Sequence, residues 1–129
     1  MVIADTSIWI AFFNRPHSVE KRTLDALIDT DGVAIVGVVL AELLQGCRTQ
    51  KERHEVRDTI LALPYFEMTQ ALWIRVGETA SSLLRRGVTL PMPDLIVAVV
   101  AVEQQFQVYS LDNHFQKIPG LSLYTPSTS

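Results

Sequence analysis

Four apolar runs in this chain are each interrupted by a single carboxylate, and this restricts the possible fold more than any other feature. Asp5 is the only charge in MVIADTSIWIAFF, Glu42 the only one in VAIVGVVLAELL, and Asp94 the only one in VTLPMPDLIVAVVAV. Asp112 repeats the pattern in QQFQVYSLDN. Burying an ionised carboxylate without a partner costs several kcal/mol. Such acids must therefore sit where an element leaves the core, or share a counter-ion. One divalent cation would serve all four.

The runs themselves read as short strands alternating with helices. Val2 to Ala4 is a strand that leads into Asp5, Thr6 and Ser7, residues of the helix-capping type, ahead of Ile8 to Phe13. Ser18 caps a second helix to about Asp29, with Val19, Leu24, Leu27 and Ile28 on one face. The Asp31-Gly32 turn leads to a strand at Val33 to Val36, followed from about Val38 by a helix carrying Leu40, Leu43, Leu44 and Cys47, which stops near Gly46 to Thr49. Gln50 to Leu63 is charged first and apolar later, ending at Pro64, and Tyr65 to Met68 forms a short strand. Thr69 caps a longer helix to about Arg86, with Leu72, Val76, Ala80, Leu83 and Leu84 inward and Gly87 as its stop. Proline in the first turn opens the next helix at Pro91-Met92-Pro93-Asp94, with Ile96, Val99, Val100 and Phe106 inward. Strands at Gln107 to Ser110 and Leu121 to Tyr124 complete the pattern.

This alternation predicts an α/β fold, a parallel sheet with right-handed crossovers and helices on both faces. Ligands of such sheets collect beyond the carboxyl ends of the strands. Asp5 and Asp112 fall at those ends, while Glu42 and Asp94 open helices on the same rim. Taken singly, Asp94 and Asp5 are accounted for by a helix dipole and Asp112 by an Asx turn. Glu42, flanked by apolar neighbours on its helix, is the hardest to dismiss. Their conjunction on one rim points to an acidic metal site.

The 129 residues suit one domain, expected over residues 1–125 with a short polar tail at 126–129. At 48% hydrophobic and 19% charged, the composition fits a sheet covered on both faces or a buried contact between copies. No apolar segment reaches a membrane span and no signal peptide is visible, so a cytoplasmic protein is expected. The lone Cys47 excludes an internal disulfide, and the dispersed His17, His54 and His114 form no zinc motif. With 11 Lys and Arg against 14 Asp and Glu, any contact with nucleic acid must use local patches such as Arg15, Lys21 and Arg22, or Arg85 and Arg86.

Asp5-Thr6-Ser7 after an N-terminal strand, Ala41-Glu42-Leu43-Leu44-Gln45-Gly46, Asp94-Leu95-Ile96-Val97-Ala98 and Ser110-Leu111-Asp112-Asn113-His114-Phe115 together resemble the PIN-domain ribonucleases. In length and in the Glu-Leu-Leu-x-Gly block the chain is similar to the VapC toxins of bacterial type II toxin–antitoxin modules. The resemblance implies a three-layer α/β/α PIN-like fold with a central parallel sheet. It further implies a Mg²⁺- or Mn²⁺-dependent endoribonuclease whose metal-binding acids are Asp5, Glu42, Asp94 and Asp112, with Ser7 and Ser110 in support. Direct ligation falls first to Asp5 and Asp94, and Glu42 or Asp112 would orient the attacking water. An RNA substrate, a cognate antitoxin and a homodimer are the implied partners. Where many relatives carry a further aspartate, this chain has His114, here read as a surface turn residue.

Two other readings stay open on the residues alone. A catalytically silent PIN-like module that binds RNA or protein is favoured by His114, and a phosphoryl-accepting receiver-like domain would also gather acids at a sheet end. The receiver reading needs an acid pair after the first strand, where Asp5 stands alone.

Overall fold

Runs of three or four apolar residues, too short to make a helix, become the central strands. A computed structural model describes residues 1–126. In it β1 (Val2–Ala4) and β2 (Val33–Val36) are buried at every position, as strands covered on both faces must be. β3 (Tyr65–Phe66), β4 (Gln107–Tyr109) and β5 (Ser122–Leu123) complete a five-stranded sheet in the order β3-β2-β1-β4-β5. All pairings are parallel, with Ile3 opposite both Ala34 and Val108.

The chain winds outward from β1 to β3, then crosses back to place β4 on the free side of β1. Between the strands lie α1 (Thr6–Asn14), α2 (Val19–Asp29), α3 (Gly37–Gln45), α4 (Gln50–Leu61), α5 (Gln70–Arg85) and α6 (Met92–Gln104). Right-handed crossovers then put α1 to α4 on one face and α5 and α6 on the other. The helix contacts agree, since α1 meets α2 and α3, α3 meets α4, and α5 meets α6. This is the expected three-layer α/β/α arrangement. Its strand order differs from the 2-1-3-4-5 order of flavodoxin-like folds, which removes the receiver-like reading.

Side-chain caps set most helix starts. Ser18, Thr49 and Thr69 accept from the backbone N–H of Lys21, Glu52 and Leu72, each satisfying a donor the helix itself leaves free. At the end of α5, Gly87 takes φ +78° while its N–H and that of Val88 bond back to Leu84 and Leu83. The left-handed turn that closes the helix suits a residue without Cβ.

Packing corrects several expectations. Leu95 to Ala101 are all buried, because α6 is covered on every side rather than along one stripe. Leu84 was expected to face inward with Leu83, but it is exposed; one residue is a 100° turn, and the seam runs through Leu72, Val76 and Leu83. Trp9 and Phe12 of the first apolar run are core residues stacked edge to face at 5.2 Å. The exposed large apolar side chains include Ile10, Trp73 and Ile74 instead. Cys47 lies just past α3, half-buried. Of the polar tail expected over 126–129, only Pro126 falls within the described residues. No helix among them is long and apolar enough to cross a membrane.

Candidate active site

The strand order reverses beside β1, and the cleft outside the carboxyl ends of β1 and β4 is where a doubly wound sheet places its ligands. Asp5 sits there. Its backbone N–H donates to Tyr109 O at 3.0 Å, continuing the β1–β4 ladder by one rung, and its side chain then caps α1 by accepting from Ile8 N at 3.3 Å. One residue thus ends a strand and starts a helix, which explains an acid directly behind a strand of three apolar residues.

Asp5 is 6% exposed and is the one buried charged side chain among the described residues. Ser7 Oγ donates to its Oδ1 at 2.5 Å, and Ser110 Oγ donates to its Oδ2. Burial pushes the carboxyl pKa above the usual range, and the nearby negative charge of Asp94 acts in the same direction. The hydrogen bonds from Ser110, Ser7 and Ile8 pull against that rise without cancelling it. The two serines are also acceptors: Ser7 Oγ takes the N–H of Leu111 at 3.1 Å and Ser110 Oγ that of Asp112 at 2.9 Å. The loop after β4 is thereby tied to the start of α1.

Asp112 Oδ1 accepts from His114 N at 3.1 Å, capping a 3-10 turn at Asn113–Lys117 that is anchored by Phe115, 1% exposed. The His114 ring turns back toward the site. Its Nδ1 lies 3.1 Å from Asp94 Oδ2 and 3.2 Å from Asp112 Oδ2. Asp94 itself is in the first turn of α6, behind Pro93, where the helix dipole favours a negative charge. On the opposite wall Thr6 Oγ1 donates to Glu42 Oε1 at 2.6 Å.

These side chains meet in a cleft of about 150 Å³ lined by Asp5, Thr6, Ser7, Val39, Glu42, Pro93, Asp94, Val97 and Asp112. All four acids singled out in the sequence line it, and no Lys or Arg does. Ser7 lines it too, while Ser110 stands behind Asp5 and touches the cleft through it. Grooves of about 280 and 440 Å³ adjoin it and share Glu42 and Asp112 respectively, but acids from four segments do not converge in either. Ligand atoms of Asp94, Asp112 and His114 lie within 4.8 Å of one another, near enough to share an ion. Sequence reasoning missed Thr6, which it took for a capping residue only, and set His114 aside as a surface turn residue.

The PIN domain family model matches residues 2–121. This chain belongs to the PIN domain family. A comparison with curated proteins by sequence gives no significant match. Among solved structures, this PIN domain is similar to VapBC2 from Rickettsia felis bound to a promoter DNA fragment, at TM-score 0.82 and 23% identity, covering 96% of this chain and 98% of that one. It is similar to DNA-bound VapBC from Salmonella typhimurium at TM-score 0.77 and 20% identity, over 95% and 96% of the two chains. VapC20 from Mycobacterium tuberculosis, a toxin that cleaves the sarcin–ricin loop, matches at TM-score 0.69 and 18% identity, over 97% and 100%. At such identities the likeness is one of fold.

Proposed function

We propose that this PIN domain is a divalent-metal-dependent endoribonuclease acting as the toxin of a toxin–antitoxin pair. The observation that carries the reading is the convergence of Asp5, Glu42, Asp94 and Asp112 on one small cleft that no cationic side chain lines. Four carboxylates so placed need a cation, and a set of hard oxygen donors fits Mg²⁺ or Mn²⁺. Asp5 and Asp94 are the first choices to hold it, with Glu42 and Asp112 acting directly or through water.

A bound divalent ion supplies Lewis acidity toward phosphoryl oxygens and lowers the pKa of water. The protein's own part is positioning. Ser7 and Ser110 each hold one oxygen of Asp5, so its carboxylate plane is fixed before substrate arrives. Thr6 fixes Glu42 through Oε1, which aims the glutamate to orient an attacking water and accept its proton. Asp112 is fixed from its own turn by the His114 N–H. Preorganised carboxylates of this kind need little rearrangement in the transition state.

The solved VapBC complexes support a cognate antitoxin as partner, and exposed Ile10, Trp73 and Ile74 are compatible with apolar contacts to it or to a second copy in a homodimer. A silent binding module is the alternative, favoured by His114, which already engages Asp94 and Asp112. Cleavage of a mixed-sequence RNA, assayed with EDTA, Mg²⁺ or Mn²⁺, separates the two. Metal-dependent cutting that disappears in Asp5→Asn and Asp94→Asn is expected. No cutting with either ion, by folded and antitoxin-free protein, supports the silent module.

A further inference from the structure

We infer that His114 is itself a ligand of the divalent ion through an imidazole nitrogen, giving a mixed nitrogen and oxygen site that prefers Mn²⁺ to Mg²⁺. The inference rests on the metal-dependent reading above and concerns which atoms hold the ion.

Geometry carries the argument. His114 Nδ1 stands 3.1 Å from one oxygen of Asp94 and 3.2 Å from one oxygen of Asp112. In a near-octahedral shell with metal–ligand distances of about 2.1 Å, neighbouring donors lie about 3 Å apart. Nδ1 therefore stands from each of the two carboxylate oxygens at the spacing of adjacent ligands, and all three atoms lie within 4.8 Å of one another. Without an ion the same nitrogen is within hydrogen-bond range of both carboxylates, so the ring already faces the acid cluster.

The arrangement is also held in advance. The His114 backbone N–H binds Asp112 Oδ1, so the turn presents Asp112 Oδ2 and the His114 ring together. Phe115, the next residue, fastens that turn into the core, and the turn packs against α6, which carries Asp94. Each oxygen of Asp5 accepts from a serine hydroxyl and keeps a second lone pair, so Asp5 can complete the shell from the other side of the cleft. The trio of Asp94, Asp112 and His114 is the part of the cleft where three donor atoms meet most closely.

Ligand chemistry then sets selectivity. Mg²⁺ favours an all-oxygen shell and gives up water reluctantly, whereas Mn²⁺, which also takes oxygen donors, is a first-row transition ion and accepts an imidazole beside them more readily. His114 adds a nitrogen donor and no negative charge, so it helps Mn²⁺ and does little for Mg²⁺.

The test uses the purified full chain, Mn²⁺ or Mg²⁺ alone, and no RNA. Pulsed electron paramagnetic resonance of the Mn²⁺-loaded protein should show ¹⁴N coupling that is lost in His114→Asp. Calorimetric titration should show the Mn²⁺-over-Mg²⁺ affinity ratio falling in the same variant, since an all-oxygen set serves Mg²⁺ as well. Stoichiometric Mn²⁺ binding without ¹⁴N coupling in the wild-type protein, or coupling that survives in His114→Asp, overturns the inference and leaves the metal-dependent reading standing. Failure of the folded wild-type protein to bind either ion overturns both. The wild-type spectrum decides the point even where the variant folds poorly.

Discussion

Ser110 donates its hydroxyl hydrogen to Oδ2 of Asp5 across 105 residues of chain. The bond joins the ends of β4 and β1 at the point where the strand order reverses. Ser110 Oγ in turn accepts the N–H of Asp112, so one hydroxyl serves both acids. Ser110→Ala leaves a buried carboxylate oxygen without that donor and a loop N–H without its acceptor, at a cost of about 1–3 kcal/mol. A melting temperature lower by several degrees is expected, with Ser110→Thr recovering most of the loss. An unchanged transition in Ser110→Ala would count against the bond.

Asp5 should make stability depend on pH in a direction opposite to that of most carboxylates. Burial holds its pKa in the folded chain above the unfolded value, so between the two values the folded state binds the extra proton. The contribution is therefore greatest below the unfolded pKa and is lost as pH rises through the folded pKa. Asn can cap α1 as well as Asp does, and it carries no charge. In EDTA, Asp5→Asn should be more resistant to urea than wild type at pH 7.5, and the gap should close toward pH 4. A variant less stable than wild type at pH 7.5 would contradict this. Adding Mn²⁺ should favour the wild type, because ligand binding to the native state stabilises it.

Thr6 offers a test of Glu42. Thr6→Val preserves shape but removes the donor that holds Oε1 at 2.6 Å. Losses of a group that orients a metal-site carboxylate are typically about 10–100-fold in metal affinity or activity. RNA cleavage reduced by that factor, with Thr6→Ser restoring it, is the expected result. Equal rates for wild type and Thr6→Val would show that Thr6 does not position Glu42 for the reaction.

Gly87→Ala should affect stability alone. The glycine sits at φ +78° and an added Cβ would meet nothing within 4 Å, so the cost is purely conformational, about 1 kcal/mol. Thermal unfolding should report it, and metal binding should not change.

The four acids were legible because a single charge in a long apolar run is a burial signal, and burial of a carboxylate demands an explanation. Element starts were legible where Ser18 and Thr69 precede an apolar period. Thr49 is less so: the pattern puts it at the end of one helix, although its side chain begins the next. α6 hid most of its core face, since a helix covered on every side has no period to read. Strand order could not be seen in local pattern, because nothing in the sequence of β4 says that it pairs with β1 rather than β3. Thr6 and Glu42 lie 36 residues apart and meet only through that topology. His114 escaped for the same reason: its role depends on Asp94, brought in by α6 from the far side of the sheet.

The place of β4 between β1 and β5 also has a meaning for the order of synthesis. A nascent chain that has left the ribosome as far as α6 already carries Asp5, Glu42 and Asp94, but β1 still has an open edge. Asp5 then has neither its ladder partner Tyr109 nor the hydroxyl of Ser110, and Asp112 has not yet emerged. Residue 112 must emerge before the four acids can line one cleft, so a product cut short ahead of it lacks that cleft as well as an edge of the sheet.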